Sequence, residues 1–231
     1  SIQKDLQDGN APFLVNATAG TTVLAAYDPL DKIADVCEKY KIWMHTDGAY
    51  GGAVLFSDKY KHLLNGVDRS DSFCVNAHKM IGTPLSSSII IARNKQHLYT
   101  SFSNKASYLY QTGEDDYNPG KTSLQCGRRN DALKFWCLWK TEAAKGLGDI
   151  IDTEFELAEY ARKYVKENPD YQNYDFANNI SVCFNYKGID PDYLCNKLYE
   201  EAELMVGYGI YNNKKFIRLV FVNSNNSKEE V

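Results

Sequence analysis

The sequence has no run of about 18 apolar residues, the least that a membrane-crossing helix needs, and its start, Ser1-Ile2-Gln3-Lys4-Asp5, is no signal peptide. A membrane partner is therefore not expected. A basic excess is also missing. The formal net charge is -4 and no basic run occurs, so nothing here draws nucleic acid by charge alone. Cysteine is sparse: six residues at irregular spacings, with no C-x-x-C pair. That argues against a disulfide framework. His45, His62, His78 and His97 form no ligand-spaced cluster with the cysteines, which argues against zinc. Internal repeats and low-complexity tracts are absent too. These absences describe a reduced, cytoplasmic protein whose partner is a small molecule.

What remains is an ordinary globular composition: 231 residues, 44% apolar and 24% charged, enough for one large domain or two smaller ones. Residues 13–17 (FLVNA) read as a buried strand ending in the small-residue turn Thr18-Ala19-Gly20-Thr21-Thr22. Asp28-Pro29 opens a helix, with proline suited to the first helical position, and Leu30, Ile33, Ala34 and Cys37 form its apolar stripe. Further strands are expected over 42–46, 72–75 and 87–92, with a short helix near 59–64 between the first two. Strands alternating with helices predict a mainly parallel sheet covered on both faces. Functional groups in such sheets gather at the carboxyl ends of the strands. Thr18, Asp47 and the segment Asn76-Ala77-His78-Lys79 all fall there.

Residues 101–120 read as a long polar loop. A helical pattern then runs from Arg128 to about Lys166, with Phe135, Trp136, Leu138 and Trp139 as a core stripe and Arg128 and Arg129 as structural residues. A strand (181–186), a helix (191–204) and a strand pair (205–210 and 215–222) follow, the order of a small α+β domain. The expected division is 1–130 for the large α/β part and 131–231 for the connecting helix and small domain. Both ends read as cut: the first residues look like the tail of a helix, and Ser227-Lys228-Glu229-Glu230 looks like the beginning of another.

Asp47 and Lys79 have chemical promise only in their frame. An aspartate at a strand end is commonly a turn former, and a lone lysine is usually solvated. Here they stand 32 positions apart within Trp43-Met44-His45-Thr46-Asp47-Gly48-Ala49-Tyr50-Gly51-Gly52 and Cys74-Val75-Asn76-Ala77-His78-Lys79. These segments, with Asn16-Ala17-Thr18-Ala19-Gly20-Thr21-Thr22-Val23 and Leu124-Gln125-Cys126-Gly127-Arg128-Arg129, occur in one order along nearly the whole chain. Together they resemble the pyridoxal-phosphate-dependent amino acid decarboxylases of the glutamate, cysteine-sulfinate and acidic amino acid group.

The resemblance implies fold type I of the pyridoxal 5'-phosphate enzymes, the C-terminal half of the whole protein, and a homodimer with its site at the interface. It implies catalytic roles for Lys79, which bonds the cofactor, for His78, and for Tyr108, the proton donor on a mobile loop. Asp47 would pair with the pyridine nitrogen, a contact that keeps it protonated. Ala49 would pack under the ring and Thr18 beside it, with Asn76 and His78 toward the phosphate. Small residues at Gly48 and Ala49 would suit close cofactor approach. Arg218 shares a strand face with Phe216, Val220 and Val222, where a charge needs a partner, and the resemblance makes that partner a substrate carboxylate. Ala77, Val75 and Ser86 depart from the family pattern, which has proline, tryptophan and glutamine at these positions. The reaction implied is α-decarboxylation of cysteine sulfinate, glutamate or aspartate. An aromatic amino acid decarboxylase is the alternative within the class, since Tyr50 is common there. An inactive remnant or dimerisation module is the alternative outside it.

Overall fold

The structure is a computed structural model that describes residues 1–102, 119–125, 127–174 and 178–231. After helix α1 (Ile2–Gln7) come strand β1 (Leu14–Thr18), helix α2 (Leu30–Tyr40), β2 (Trp43–Asp47), β3 (Ser72–Asn76) and β4 (Ser88–Ala92). The four strands lie side by side in chain order, β1, β2 and β3 parallel and β4 antiparallel to β3. This is the mainly parallel α/β sheet that the alternation of elements predicts.

The strands alternate between two faces, as a period of two requires, although Ser72 on the open face is also buried. Ala17, Met44, Thr46, Phe73 and Val75 are buried on one face. Against them pack α2, through Leu30, Ala34 and Cys37, and a 3-10 segment, Gly51–Phe56. Two glycines allow the close approaches there. A Cβ on Gly20, whose φ is +84°, would meet Gly51 Cα at 2.6 Å, so the loops after β1 and β2 touch backbone to backbone. A Cβ on Gly48 would meet Phe73 Cε2 at 2.6 Å and the Cys74 carbonyl oxygen at 2.9 Å. The protein's own packing therefore already requires a small residue at Gly48.

Helix α3 (Lys95–Phe102) lies between the expected strand and the expected loop and takes the loop's first two residues, and α4 (Asp131–Glu167) comes later in the chain. Helix α4 is broken at Ala143, where φ is 53° and ψ -171°. Its second half docks on the turn just after the 3-10 segment: Tyr60 stacks on Phe155 at 3.8 Å, and the Ser57 hydroxyl donates to Asp152 at 2.5 Å. Its first half behaves differently. Phe135 and Leu138 pack against the core, but Trp136 is 57% exposed and Trp139 39%, so only part of the expected stripe is core; helical spacing shows a shared face but not what covers it. Pro29 also stands at the N-cap of α2 rather than at its first turn, and Asp28 turns back to accept the Thr18 N–H at 2.8 Å.

The second sheet is antiparallel, in the order β5-β6-β8-β7: β5 (Tyr171–Tyr174), β6 (Ser181–Tyr186), β7 (Gly207–Tyr211) and β8 (Lys214–Val220). Helix α5 (Pro191–Glu200) lies between β6 and β7 in the chain and ends four residues before the expected 204, with the Asp190 side chain capping Tyr193 N–H. Five cysteines, Cys37, Cys74, Cys137, Cys183 and Cys195, are unpaired. Among the described residues no helix is long and apolar enough to cross a membrane.

Candidate active site

The carboxyl ends of β1, β2 and β3 bring the motif residues together. In the parallel ladder Thr18 pairs with Asp47, and Asp47 pairs with Cys74. All three lie on the sheet face opposite the core, half-buried. That placement follows from alternation: Met44 and Thr46 take the core face of β2, leaving Trp43, His45 and Asp47 on the other. The backbone then knits the strand ends to one another. Ala19 N–H donates to Asp47 O at 2.8 Å, Gly48 N–H to Cys74 O at 3.0 Å, and Asn76 N–H to Ala49 O at 3.2 Å.

Asp47 has one occupied oxygen and one free. Its Oδ1 accepts the Ala49 N–H at 2.9 Å and the Cys74 thiol at 3.5 Å. Its Oδ2 has no donor among the described residues. Lys79 sits in the turn after β3, where its N–H donates to Asn76 O at 3.0 Å. The Lys79 side chain is half-buried and makes no ion pair or hydrogen bond among the described residues. A free amine and a carboxylate with a free oxygen thus share one end of the sheet.

His78 is fixed through one nitrogen. Nδ1 lies 3.0 Å from Ser87 N and 2.8 Å from Ser87 O, so it meets the residue just before β4 and leaves Nε2 for other partners. Thr18 and Ala49 contribute backbone bonds as well as position. Ser86 donates to Asp131 at 3.2 Å, which ties the position that departs from the family pattern to the start of α4.

Arg218 on β8 comes in from the second sheet. Its Nη2 donates to Thr22 O at 2.5 Å and lies 3.4 Å from the Tyr50 hydroxyl, with the guanidinium 5.8 Å from that ring's centre. No carboxylate pairs with it among the described residues, and its Nε is buried without a partner. A cation held by a carbonyl and a phenol, facing the loop after β1, is open to an anion. Burial raises the Tyr50 hydroxyl above an ordinary tyrosine, offset by its bonds to Ser181 and Arg218, so it stays protonated. Tyr108, and Cys126 of the 124–129 motif, lie outside the described residues.

Cys74 is the residue that the sequence reading passed over. Its place beside Asp47 depends on the register between β2 and β3, and only its alternation with Asn76 pointed to the same face. Tyr50 was noted for its residue type, but its contact with Arg218 spans 168 positions.

Known proteins resemble this chain in sequence and fold. A family model described as the pyridoxal-dependent decarboxylase conserved domain matches residues 1–187. The cysteine sulfinic acid decarboxylase of Rattus norvegicus is 36% identical over 94% of this chain and 48% of its own length. The acidic amino acid decarboxylase GADL1 of Xenopus tropicalis is 34% identical over 100% of this chain and 49% of its own. The chain therefore spans about half the length of the curated relatives it matches. Among solved structures, mouse CSAD superposes with a TM-score of 0.90 at 33% identity, over 99% of this chain and 52% of the other. A Catharanthus roseus tryptophan decarboxylase, at 21% identity and a TM-score of 0.85, shares the fold over 99% of this chain and 49% of its own.

Proposed function

This chain belongs to the pyridoxal-dependent decarboxylase family, and on that footing we propose that the whole protein removes the α-carboxylate of a small acidic L-amino acid. Cysteine sulfinate, glutamate and aspartate are the substrates proposed. The observation that carries the reading is Asp47: a half-buried carboxylate at a parallel-strand end, with one oxygen fixed and the other free.

The residues present suit pyridoxal 5'-phosphate. Asp47 Oδ2 is free to accept a proton-bearing ring nitrogen, the Lys79 amine is free to bond a carbonyl carbon, and Thr18, Ala49, Asn76 and His78 lie on the same strand ends and the turns after them. Bound there, the cofactor supplies an electron sink for the pair left when carbon dioxide departs. Asp47, held by the Ala49 N–H, orients that group and keeps a proton at its nitrogen. Lys79 would hold it through its amine. His78, fixed through Nδ1, presents Nε2. Arg218 grips a substrate carboxylate, and Tyr108 delivers the proton to the substrate α-carbon once carbon dioxide has left.

We further propose residues 1–130 and 131–231 as the two structural parts, and a homodimer with the site at its interface. The exposed apolar side chains Leu133, Trp136 and Trp139 support an interface. Five unpaired cysteines suit the reducing cytoplasm.

Borohydride reduction of the full-length protein followed by peptide mapping tests the cofactor assignment. A pyridoxyl group is expected on Lys79, and one on any other lysine overturns the assignment. A panel of acidic and aromatic amino acids, with carbon dioxide release as the readout, tests the substrate class. Tyr50 beside Arg218 is the feature that would accompany an aromatic preference.

A further inference from the structure

We propose that Cys74 is a positioning residue for the cofactor-facing carboxylate: its thiol and the Ala49 N–H together occupy Oδ1 of Asp47, so that Oδ2 alone is presented to the ring nitrogen. This rests on the functional reading above and goes beyond it, because it assigns a task to a side chain that touches neither cofactor nor substrate.

The geometry comes from the ladder. Parallel pairing sets Asp47 directly beside Cys74, and both side chains point to the half-open face. The Gly48 N–H to Cys74 O bond, 3.0 Å, fixes the two backbones at that point. The missing Cβ of Gly48 lets them approach, since it would press on the Cys74 carbonyl oxygen at 2.9 Å. One donor alone leaves a carboxylate free to rotate about its Cβ–Cγ bond. Two donors on the same oxygen, 2.9 Å and 3.5 Å away, hold its plane. The thiol must carry its proton to donate. Burial first, then the neighbouring Asp47 charge, raise it above an ordinary cysteine, while backbone bonds from Gly48 and Ala49 oppose the shift. The thiol therefore remains a donor at neutral pH.

A serine at this position keeps a donor, and an alanine removes it, with little change in volume. The experiment reconstitutes the full-length apoprotein, as wild type, Cys74→Ala and Cys74→Ser, with pyridoxal phosphate labelled with nitrogen-15 in its ring. The dissociation constant is read from quenching of protein fluorescence, and the ring environment from the nitrogen chemical shift. Cys74→Ala is expected to weaken binding by about threefold to tenfold, the scale of one hydrogen bond, and to move the nitrogen signal; Cys74→Ser is expected to restore both. Wild-type values in Cys74→Ala, or a Cys74→Ser variant that behaves like Cys74→Ala, overturn the proposal. Alkylation of Cys74 in the cofactor-free protein at pH 8 gives an independent readout. Asp47→Asn removes the charge that raises the thiol and is expected to speed the reaction by about threefold; an unchanged rate overturns the contact. If the wild type binds no pyridoxal phosphate, the functional reading fails, while the alkylation rates still decide whether the thiol and carboxylate are joined.

Discussion

The two faces of the parallel sheet are made by the same strands and do opposite work. On one face Ala17, Met44, Thr46, Phe73 and Val75 are buried under α2 and the 3-10 segment. On the other, Thr18, Trp43, His45, Asp47, Cys74 and Asn76 remain half-buried. Neighbouring residues one position apart thus belong to different problems, packing on one side and chemistry on the other. The core side is apolar but for Thr46, whose hydroxyl is bonded to that of Ser70 at 2.6 Å, because burial costs polar groups their water. The open side carries polar groups whose hydrogen-bonding capacity is only partly used, and unused capacity is what binds a ligand.

The comparison breaks first at Asp47. Asp47→Asn is expected to leave the fold in place and cofactor binding possible, though weakened at least as much as by Cys74→Ala, while turnover falls by about 10²- to 10³-fold, the scale of one misplaced electrostatic partner. Thermal unfolding and single-turnover carbon dioxide release check both halves. A large loss of stability would move Asp47 to the structural column, and near-normal turnover would make it a turn residue. On the opposite face the pattern inverts. Met44, 1% exposed, has its side chain in the core one turn of the pleat from His45. Met44→Ala is expected to cost about 3 kcal/mol of stability by leaving a cavity, with the cofactor affinity of the folded fraction unchanged. Denaturant titration with and without cofactor checks it.

Much of this division was legible before any coordinates. The runs at 13–17, 42–46 and 72–75 are short, apolar and punctuated by small-residue turns, and they placed the strand ends and the motif residues on them. What escaped was long-range or directional. Tyr171-Gln172-Asn173-Tyr174 is too polar to read as a strand, and becomes β5 only because β6 pairs with it. Cys74 resembled the small buried hydrophobe that reduced cysteine usually is, because its neighbour across the ladder is 27 positions away. The exposure of Trp136 and the break at Ala143 depend on what α4 packs against, which spacing does not encode.

Each side also holds an exception, and the exceptions sharpen the contrast. Behind the core face, α4 buries Glu154 among Leu147, Ile151 and Phe155, fully enclosed, with both carboxyl oxygens unsatisfied among the described residues. Burial pushes its carboxyl up to about 9. Below the ordinary glutamate value both folded and unfolded chains carry the proton. Between there and about 9 only the folded chain does, so stability falls as pH rises through that window. Glu154→Gln cannot ionise. It is expected to flatten the dependence between pH 5 and pH 8 and to gain about 2 kcal/mol at pH 8. Parallel slopes for wild type and variant would mean that a partner absorbs the charge.

The smallest effect is expected at the exception on the open face. Ser72 points to that side, yet it is 8% exposed and its hydroxyl is fully engaged. Trp43 Nε1 donates to Ser72 Oγ at 2.9 Å, and His45 Nδ1 lies 2.7 Å from the same oxygen. One hydroxyl thus fixes two large rings on the strand that carries Asp47. Ser72→Ala removes it without adding volume. Trp43 and His45 are both half-buried, so water can replace part of what they lose, and the cost should stay near that of one ordinary hydrogen bond, about 1 kcal/mol. The expected outcome is a small drop in the unfolding midpoint with cofactor affinity and turnover preserved, because Asp47 is positioned from Ala49 and Cys74 rather than from Ser72. Unfolding curves and cofactor titration on one preparation decide it. A fall in turnover without a fall in stability would extend the chemical face from the strand ends back to Ser72, two residues closer to the start of β3 than Cys74.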